Sequence, residues 1–227
     1  MATTRRDFLK AAMIAGGAVA AGPMFAGATA GASTTGTIVL TGYSPFGGRS
    51  INTAWDVAQA AGRLLDADSG LNVVVTQLPT DWTRYRQQLL DLVSQHHPDL
   101  LLGLGERGGL MPAPAMELHA YNQGKGVDAH GNNGPGELVP GGPAEIVAPE
   151  ANRQAYKAAR AEGHKINPSY DAGRYLCNAE LYTNLSLQQQ GAVAAAGFIH
   201  VPALRTSQDK KIDIFAQAVA ATARNLV

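Results

Sequence analysis

Two rhythms of apolar and polar positions alternate along this chain. Residues 37–42 (Thr-Ile-Val-Leu-Thr-Gly) form a short β-branched apolar run, which predicts a buried strand. Breakers follow at Pro45, Gly47 and Gly48, so the next stretch reads as a loop. From Asn52, a residue type suited to capping, a helix is predicted to about Asp66, with Trp55, Ala58 and Leu65 among its apolar positions. Residues 71–78 read as a second strand. Asp81 can cap a helix through His97, with apolar positions at Trp82, Tyr85, Leu89 and Val93, and Pro98 ends it. Residues 99–105 form a third, fully apolar strand, and residues 194–201 a late one. Further helices are predicted over 151–163, from near Ala172 through Cys177, and over 212–225. Residues 122–149 follow neither rhythm. They are rich in Gly, Pro and Asn and predict a long loop with a short hairpin. So long a loop in a compact domain is usually functional.

Apolar strands separated by helices predict an α/β fold: a single domain with a mostly parallel twisted sheet and helices on both faces. The composition agrees. The chain has 227 residues, 45% of them hydrophobic and 16% charged, which suits one well-buried core over residues 31–227. Lys plus Arg and Asp plus Glu are 18 each. A protein that tracks nucleic-acid phosphates carries a basic excess, so no nucleic-acid partner is expected. Beyond residue 30 no apolar run is long enough to span a bilayer. The single cysteine excludes an intrachain disulfide and a cysteine-rich zinc site, and no metal or cofactor is expected.

Residues 1–30 read as an address. Thr4-Arg5-Arg6-Asp7-Phe8-Leu9-Lys10 precedes a weakly apolar run and small-residue cleavage patterns at Ala26-Gly27-Ala28 and Ala28-Thr29-Ala30. The paired arginines resemble a twin-arginine export signal. Export to the periplasm or medium is therefore expected, with no stable membrane insertion once the leader is removed. Its removal takes away Arg5, Arg6 and Lys10 against Asp7, leaving 15 basic and 17 acidic side chains.

The chemistry-bearing residues each admit a plain structural reading beside a functional one. Gly103-Leu-Gly-Glu-Arg-Gly108 matches G-x-G-x-x-G after a strand, but Pro112 and Pro114 oppose the helix that dinucleotide binding needs. Cys177 fits a small buried hydrophobe. It also fits a nucleophile, because an early helical position exposes it to unpaired N–H groups that favour a thiolate. His200, at a strand end, fits a structural histidine or a general base and acid for Cys177. Glu117 fits an exposed-face residue or the carboxylate that orients an imidazole.

Together these segments closely resemble the type I pyroglutamyl peptidases. The resemblance lies in Thr41-Gly-Tyr-Ser-Pro-Phe-Gly-Gly48 with Ser50-Ile-Asn52, in Pro98-Asp99 through Leu104-Gly105, and in Glu117-Leu-His-Ala-Tyr-Asn122. It continues in Ala172-Gly173 with Cys177-Asn178 and in Gly197-Phe-Ile-His-Val-Pro202, all in family order across nearly the whole mature chain. The resemblance implies a cysteine peptidase that removes an N-terminal pyroglutamyl residue from a peptide. By carry-over Cys177 is the nucleophile, His200 the general base and acid, and Glu117 the group that orients His200. It also implies a lactam pocket formed by Tyr43, Phe46, Tyr175 and Leu176, with Glu106 from the glycine loop. Family members often form tetramers, so a homo-tetramer is an expectation on the resemblance alone.

At three positions the chain departs from the family pattern. Tyr43 and Tyr175 stand where the family has phenylalanine, and Glu106 stands where it has glutamine. The segment between Gly109 and Glu117 also reads as one residue longer. These departures keep in view a cysteine hydrolase of another small N-acyl or lactam-like amide; a separate alternative is a non-catalytic protein that binds a lactam or peptide end.

Overall fold

The computed structural model describes residues 36–67, 70–109, 111–207 and 209–227. The expected leader lies outside the described residues. A six-stranded sheet organises the rest, in the order β2-β1-β3-β8-β4-β7. Strands β1 (Gly36–Tyr43), β2 (Leu71–Leu78), β3 (Leu100–Arg107) and β8 (Ala195–Pro202) run parallel. β4 (Ala115–Glu117) pairs antiparallel with β8, and β7 (Asn167–Ser169) parallel with β4. β5 (His119–Tyr121) and β6 (Glu145–Val147) form a separate antiparallel pair.

The four parallel strands are the apolar runs visible in the sequence. Leu100, Leu101, Leu102 and Leu104 are fully buried, as are Ile38, Val39 and Leu40, because helices cover both faces. Helices α1 (Thr53–Asp66) and α5 (Lys211–Arg224) pack on each other and share one face with α3 (Glu150–Ala161). Helices α2 (Tyr85–His96) and α4 (Leu176–Gln189) lie on the other face. The fold is thus the expected α/β domain with a mostly parallel sheet.

The helix starts show where local chemistry sufficed. Asn52 caps α1 as its residue type suggests, accepting from Ala54 N at 3.0 Å. Asp81 does not cap α2 directly. Its Oδ1 accepts from Thr83 N and Oγ1, both at 2.7 Å, closing a turn ahead of a helix that begins at Tyr85. The helix expected from near Ala172 begins only at Leu176. Gly173 takes φ +78°, a left-handed conformation that delays the helix.

The sequence assigns no helix or strand to the segment from Ala115 to Tyr121. The segment divides between two sheets at Leu118, whose N donates to Ser169 O at 2.8 Å and whose O accepts from Ala148 N at 2.9 Å. The loop over residues 122–149 is held by two side chains. Asn122 Oδ1 accepts from Leu138 N (2.9 Å) and Val139 N (2.8 Å). Asp128 accepts from Trp82 N (2.9 Å), His130 N (2.8 Å) and Asn132 N (2.8 Å). Burial opposes the Asp128 charge, but these hydrogen bonds outweigh it and hold the carboxyl well below its usual range. Two antiparallel bridges, Gly124 with Gly136 and Val127 with Asn133, make the hairpin of this loop.

Candidate active site

The centre of the sheet brings the candidate residues together at the carboxyl ends of β3 and β8. Side chains alternate along a strand, so Phe198 and His200 project to the α4 face while Gly197 and Ile199 project to the other. His200 is nearly buried, and its Nδ1 lies 2.7 Å from Oε1 of the fully buried Glu117. Antiparallel pairing of Ala115 with His200 and Met116 with Ile199 sets Glu117 on that same face. Arg107, at the exposed end of β3, brings Nη1 to 3.6 Å from the same carboxylate oxygen.

Cys177 is the second residue of α4 and is partly exposed. Its sulfur fills a hollow above Gly105, where a Cβ would stand 2.6 Å from Sγ. Gly105 is the register partner of His200. Adjacent strands run about 4.8 Å apart, so nucleophile and imidazole candidates are neighbours. Asn178 anchors this turn to β5. It accepts from Tyr121 N at 2.8 Å and donates to Tyr121 O (2.8 Å) and Gln123 O (2.9 Å).

The helix start was expected to lower the Cys177 thiol. No side chain caps α4, and its first turn carries no acid, so the dipole is available. Burial and the carboxylates of Glu180 and Glu117 are stronger, however, and push the thiol above its ordinary value. Attack by this sulfur therefore calls for a base that takes its proton.

Two of the aromatic candidates meet each other, and one of them meets Trp82. Phe46 and Tyr175 stand with ring centroids 6.2 Å apart, and Tyr175 meets Trp82 edge-on at 5.5 Å. The two tyrosine hydroxyls are taken up by backbone: Tyr43 donates to Leu176 O and Tyr175 to Val127 O, each at 3.1 Å. Tyr43 and Leu176 are buried. The Glu106 side chain lies on the α1 face. Its Oε2 accepts from Thr53 N at 2.8 Å, and its Oε1 pairs with Arg49. Only its main chain can therefore face the Cys177 side of β3.

Sequence reasoning passed over Trp82 and Glu180 as parts of this neighbourhood, and gave Asn178 a place beside Cys177 but no role. Trp82 counted only as a helix position, and Glu180 carried no signal beyond its spacing from Cys177. The G-x-G-x-x-G match also has its explanation. Gly103 and Gly105 are in-strand positions that admit side chains of α4, and no helix opens after them. A separate groove of about 390 Å³ lies between α2, α4 and the 122–149 loop, lined in part by Leu90, Val139, Ile146 and Tyr182. None of Cys177, His200 and Glu117 lines it.

Comparison with known proteins shows the family. The family described as "Pyroglutamyl peptidase" matches residues 36–222. The pyrrolidone-carboxylate peptidase of Bacillus amyloliquefaciens is 30% identical over 169 residues, covering 73% of this chain and 77% of that protein. Its counterpart in Thermococcus onnurineus (strain NA1) is 33% identical, covering 73% and 82%. The crystal structure of pyroglutamyl peptidase I from B. amyloliquefaciens superposes with TM-score 0.73 at 27% identity, covering 84% of this chain and 96% of that one. A mutant pyrrolidone carboxyl peptidase from Pyrococcus furiosus shares the fold with TM-score 0.75 at 23% identity, covering 84% and 97%. On the extent of the family match and of these relatives, the chain belongs to the pyroglutamyl peptidase family.

Proposed function

We propose that this protein is a cysteine exopeptidase that removes N-terminal pyroglutamyl residues from peptides, using Cys177, His200 and Glu117. The observation that carries the reading is the Glu117–His200 hydrogen bond of 2.7 Å, set beside a Cys177 sulfur packed over the register partner of His200.

The Cys177 sulfur attacks the carbonyl carbon that joins pyroglutamate to the next residue. The His200 ring accepts the thiol proton through Nε2, while Glu117 holds Nδ1–H in one tautomer and stabilises the imidazolium. The tetrahedral intermediate collapses, and His200 delivers its proton to the departing amine nitrogen. Water, deprotonated by His200, then splits the thioester and releases pyroglutamate, returning the proton to sulfur. The uncapped first turn of α4 offers backbone N–H groups to the oxyanion. Tyr43, Phe46, Tyr175 and Leu176 suit a small flat lactam, with the main chain at Glu106 completing the pocket.

The engaged tyrosine hydroxyls and the turned-away Glu106 carboxylate support pyroglutamyl specificity over a different N-acyl amide. A binding protein without turnover has no need of a carboxylate-held imidazole beside a cysteine. Release of a fluorescent amine from a pyroglutamyl amide, measured beside Cys177→Ala, tests the assignment. Turnover that persists in the variant would remove Cys177 from its role. Better turnover of other N-acyl amides would change the substrate.

Export and assembly belong to the same proposal. The twin-arginine-like segment lies outside the family match of residues 36–222, as an added address should. Fractionation of cells producing the protein, compared with Arg5→Lys/Arg6→Lys, tests export, and retention of both forms in the cytosol would refute it. Among the described residues no helix is long and apolar enough to cross a membrane. A homo-tetramer is testable by light scattering, and a monomeric mass would refute it.

A further inference from the structure

One buried acid beside the candidate nucleophile has no part in the chemistry above. Glu180 lies three residues after Cys177 on α4 and is fully buried. Thr41 Oγ1, from β1, donates to its Oε1, and its Oε2 has no hydrogen-bond partner among the described residues. A Cβ at Gly103 would stand 2.5 Å from Glu180 Oε1, as one at Gly105 would stand 2.6 Å from Cys177 Sγ. Gly103 and Gly105 are alternate positions of one strand, on one face and about 7 Å apart. The acid and the sulfur therefore occupy successive hollows of the same strand, separated by no other side chain of that strand.

The ionisable groups around this pair are mostly acids. Tyr43 from β1 and Tyr85 from α2 face Glu180: burial and then the Glu180 charge hold Tyr43 more firmly protonated, while burial raises Tyr85 against the Thr183 hydrogen bond and the Arg86 charge, with Glu180 adding less. Cys177 from α4 itself is acted on by Glu180, by Glu117 of β4 and by Glu106 of β3. His200 of β8 stands beside Phe198, which also borders both glycine hollows. Burial pushes the Glu180 carboxyl up to about 7, against the polar contacts of Thr41, Tyr43 and Asn184, which favour its charge.

We propose that Glu180 is a positioning residue that sets the ionisation of Cys177 and so the pH range of nucleophile reactivity. The neutral acid permits the thiolate, and the carboxylate opposes it. As pH rises through neutrality Glu180 gains its charge, and the Cys177 proton is then held to higher pH than burial alone would hold it. This deepens the proposed function, since it rests on Cys177 being the nucleophile.

The single cysteine allows a test that needs no substrate. Alkylation of the full chain by iodoacetamide reports Cys177 alone, so its rate is followed against pH for wild type, Glu180→Gln and Thr41→Val. Glu180→Gln keeps the acceptor oxygen and removes the charge. It should alkylate about three- to tenfold faster near about pH 8, with the midpoint moved to lower pH. Thr41→Val removes the donor that stabilises the carboxylate, so it should move the midpoint the same way by less. Superposable profiles for wild type and Glu180→Gln, with unchanged circular dichroism, would overturn the inference. A midpoint moved upward would do so as well. If Glu180→Gln does not fold, an unmoved Thr41→Val profile overturns it alone. Turnover of a pyroglutamyl amide is measured in parallel. A shifted alkylation profile without turnover would reject the peptidase reading and leave the role of Glu180 standing.

Discussion

The sulfur of Cys177 occupies the space that a side chain at residue 105 would need, with only 2.6 Å between Sγ and a Cβ placed on Gly105. The helix that carries Cys177 can approach the sheet only because this strand position is bare. Phe198 closes the same hollow, its ring atom Cζ also 2.6 Å from that Cβ.

Gly105→Ala should therefore displace the sulfur or the Phe198 ring. Overpacking of this kind costs about 1–3 kcal/mol. Thermal unfolding should show the loss, and turnover should fall more than stability alone explains. An alanine variant with wild-type kcat would mean that α4 tolerates a shift at its first turn.

Glu117→Gln keeps an oxygen for the Nδ1–H of His200 and removes the charge that stabilises the imidazolium. Since Glu117 is fully buried, no solvent replaces that charge. Turnover should fall by about 10²–10⁴-fold, largely in kcat. A fall confined to KM would assign Glu117 to substrate binding.

Asp128 ties the 122–149 loop to Trp82, whose ring in turn supports that of Tyr175. Asp128→Ala leaves three backbone N–H groups without their acceptor, at a cost of about 1–3 kcal/mol, and should raise KM. Its folded pKa is depressed, so its charge contributes stability above the unfolded carboxylate value, and that contribution is lost as pH falls toward the folded value. The Tm difference between wild type and Asp128→Ala should thus be largest near neutrality and shrink below about pH 4. A pH-independent difference would locate the effect in packing.

Glu106→Ala removes the partner of Arg49 and the acceptor of Thr53 N at the start of α1. It should be felt first in stability, by about 1–3 kcal/mol, with KM changing less than in Tyr175→Ala. The order is checked by denaturant unfolding beside steady-state kinetics. A KM effect larger than that of Tyr175→Ala would return the carboxylate to the pocket.

Local sequence determined much of this protein. The apolar runs at Ile38–Leu40, Leu100–Leu102 and Phe198–Ile199 belong to strands covered on both faces, where nearly every position is apolar, so period and composition reveal them. Asn52 announced α1 by its own hydrogen bond. The order of the Tyr43, Glu117, Cys177 and His200 segments was enough to indicate the family, because each block carries several residue types at fixed spacing.

Tertiary structure alone decided the rest. β4, β5, β6 and β7 are three residues each, too short for a period, and exist because distant backbone groups meet them. The face chosen by Glu106 followed from strand alternation in a register set by β8. The thiol of Cys177 was pushed up by burial and by carboxylates from Glu180 and Glu117, one three residues away and the other sixty. A helix start is visible in sequence, but the sum of charges and lost solvent at a point in space is not. That sum exists only once the chain has folded, which is why candidate groups could be named from the chain and their protonation could not.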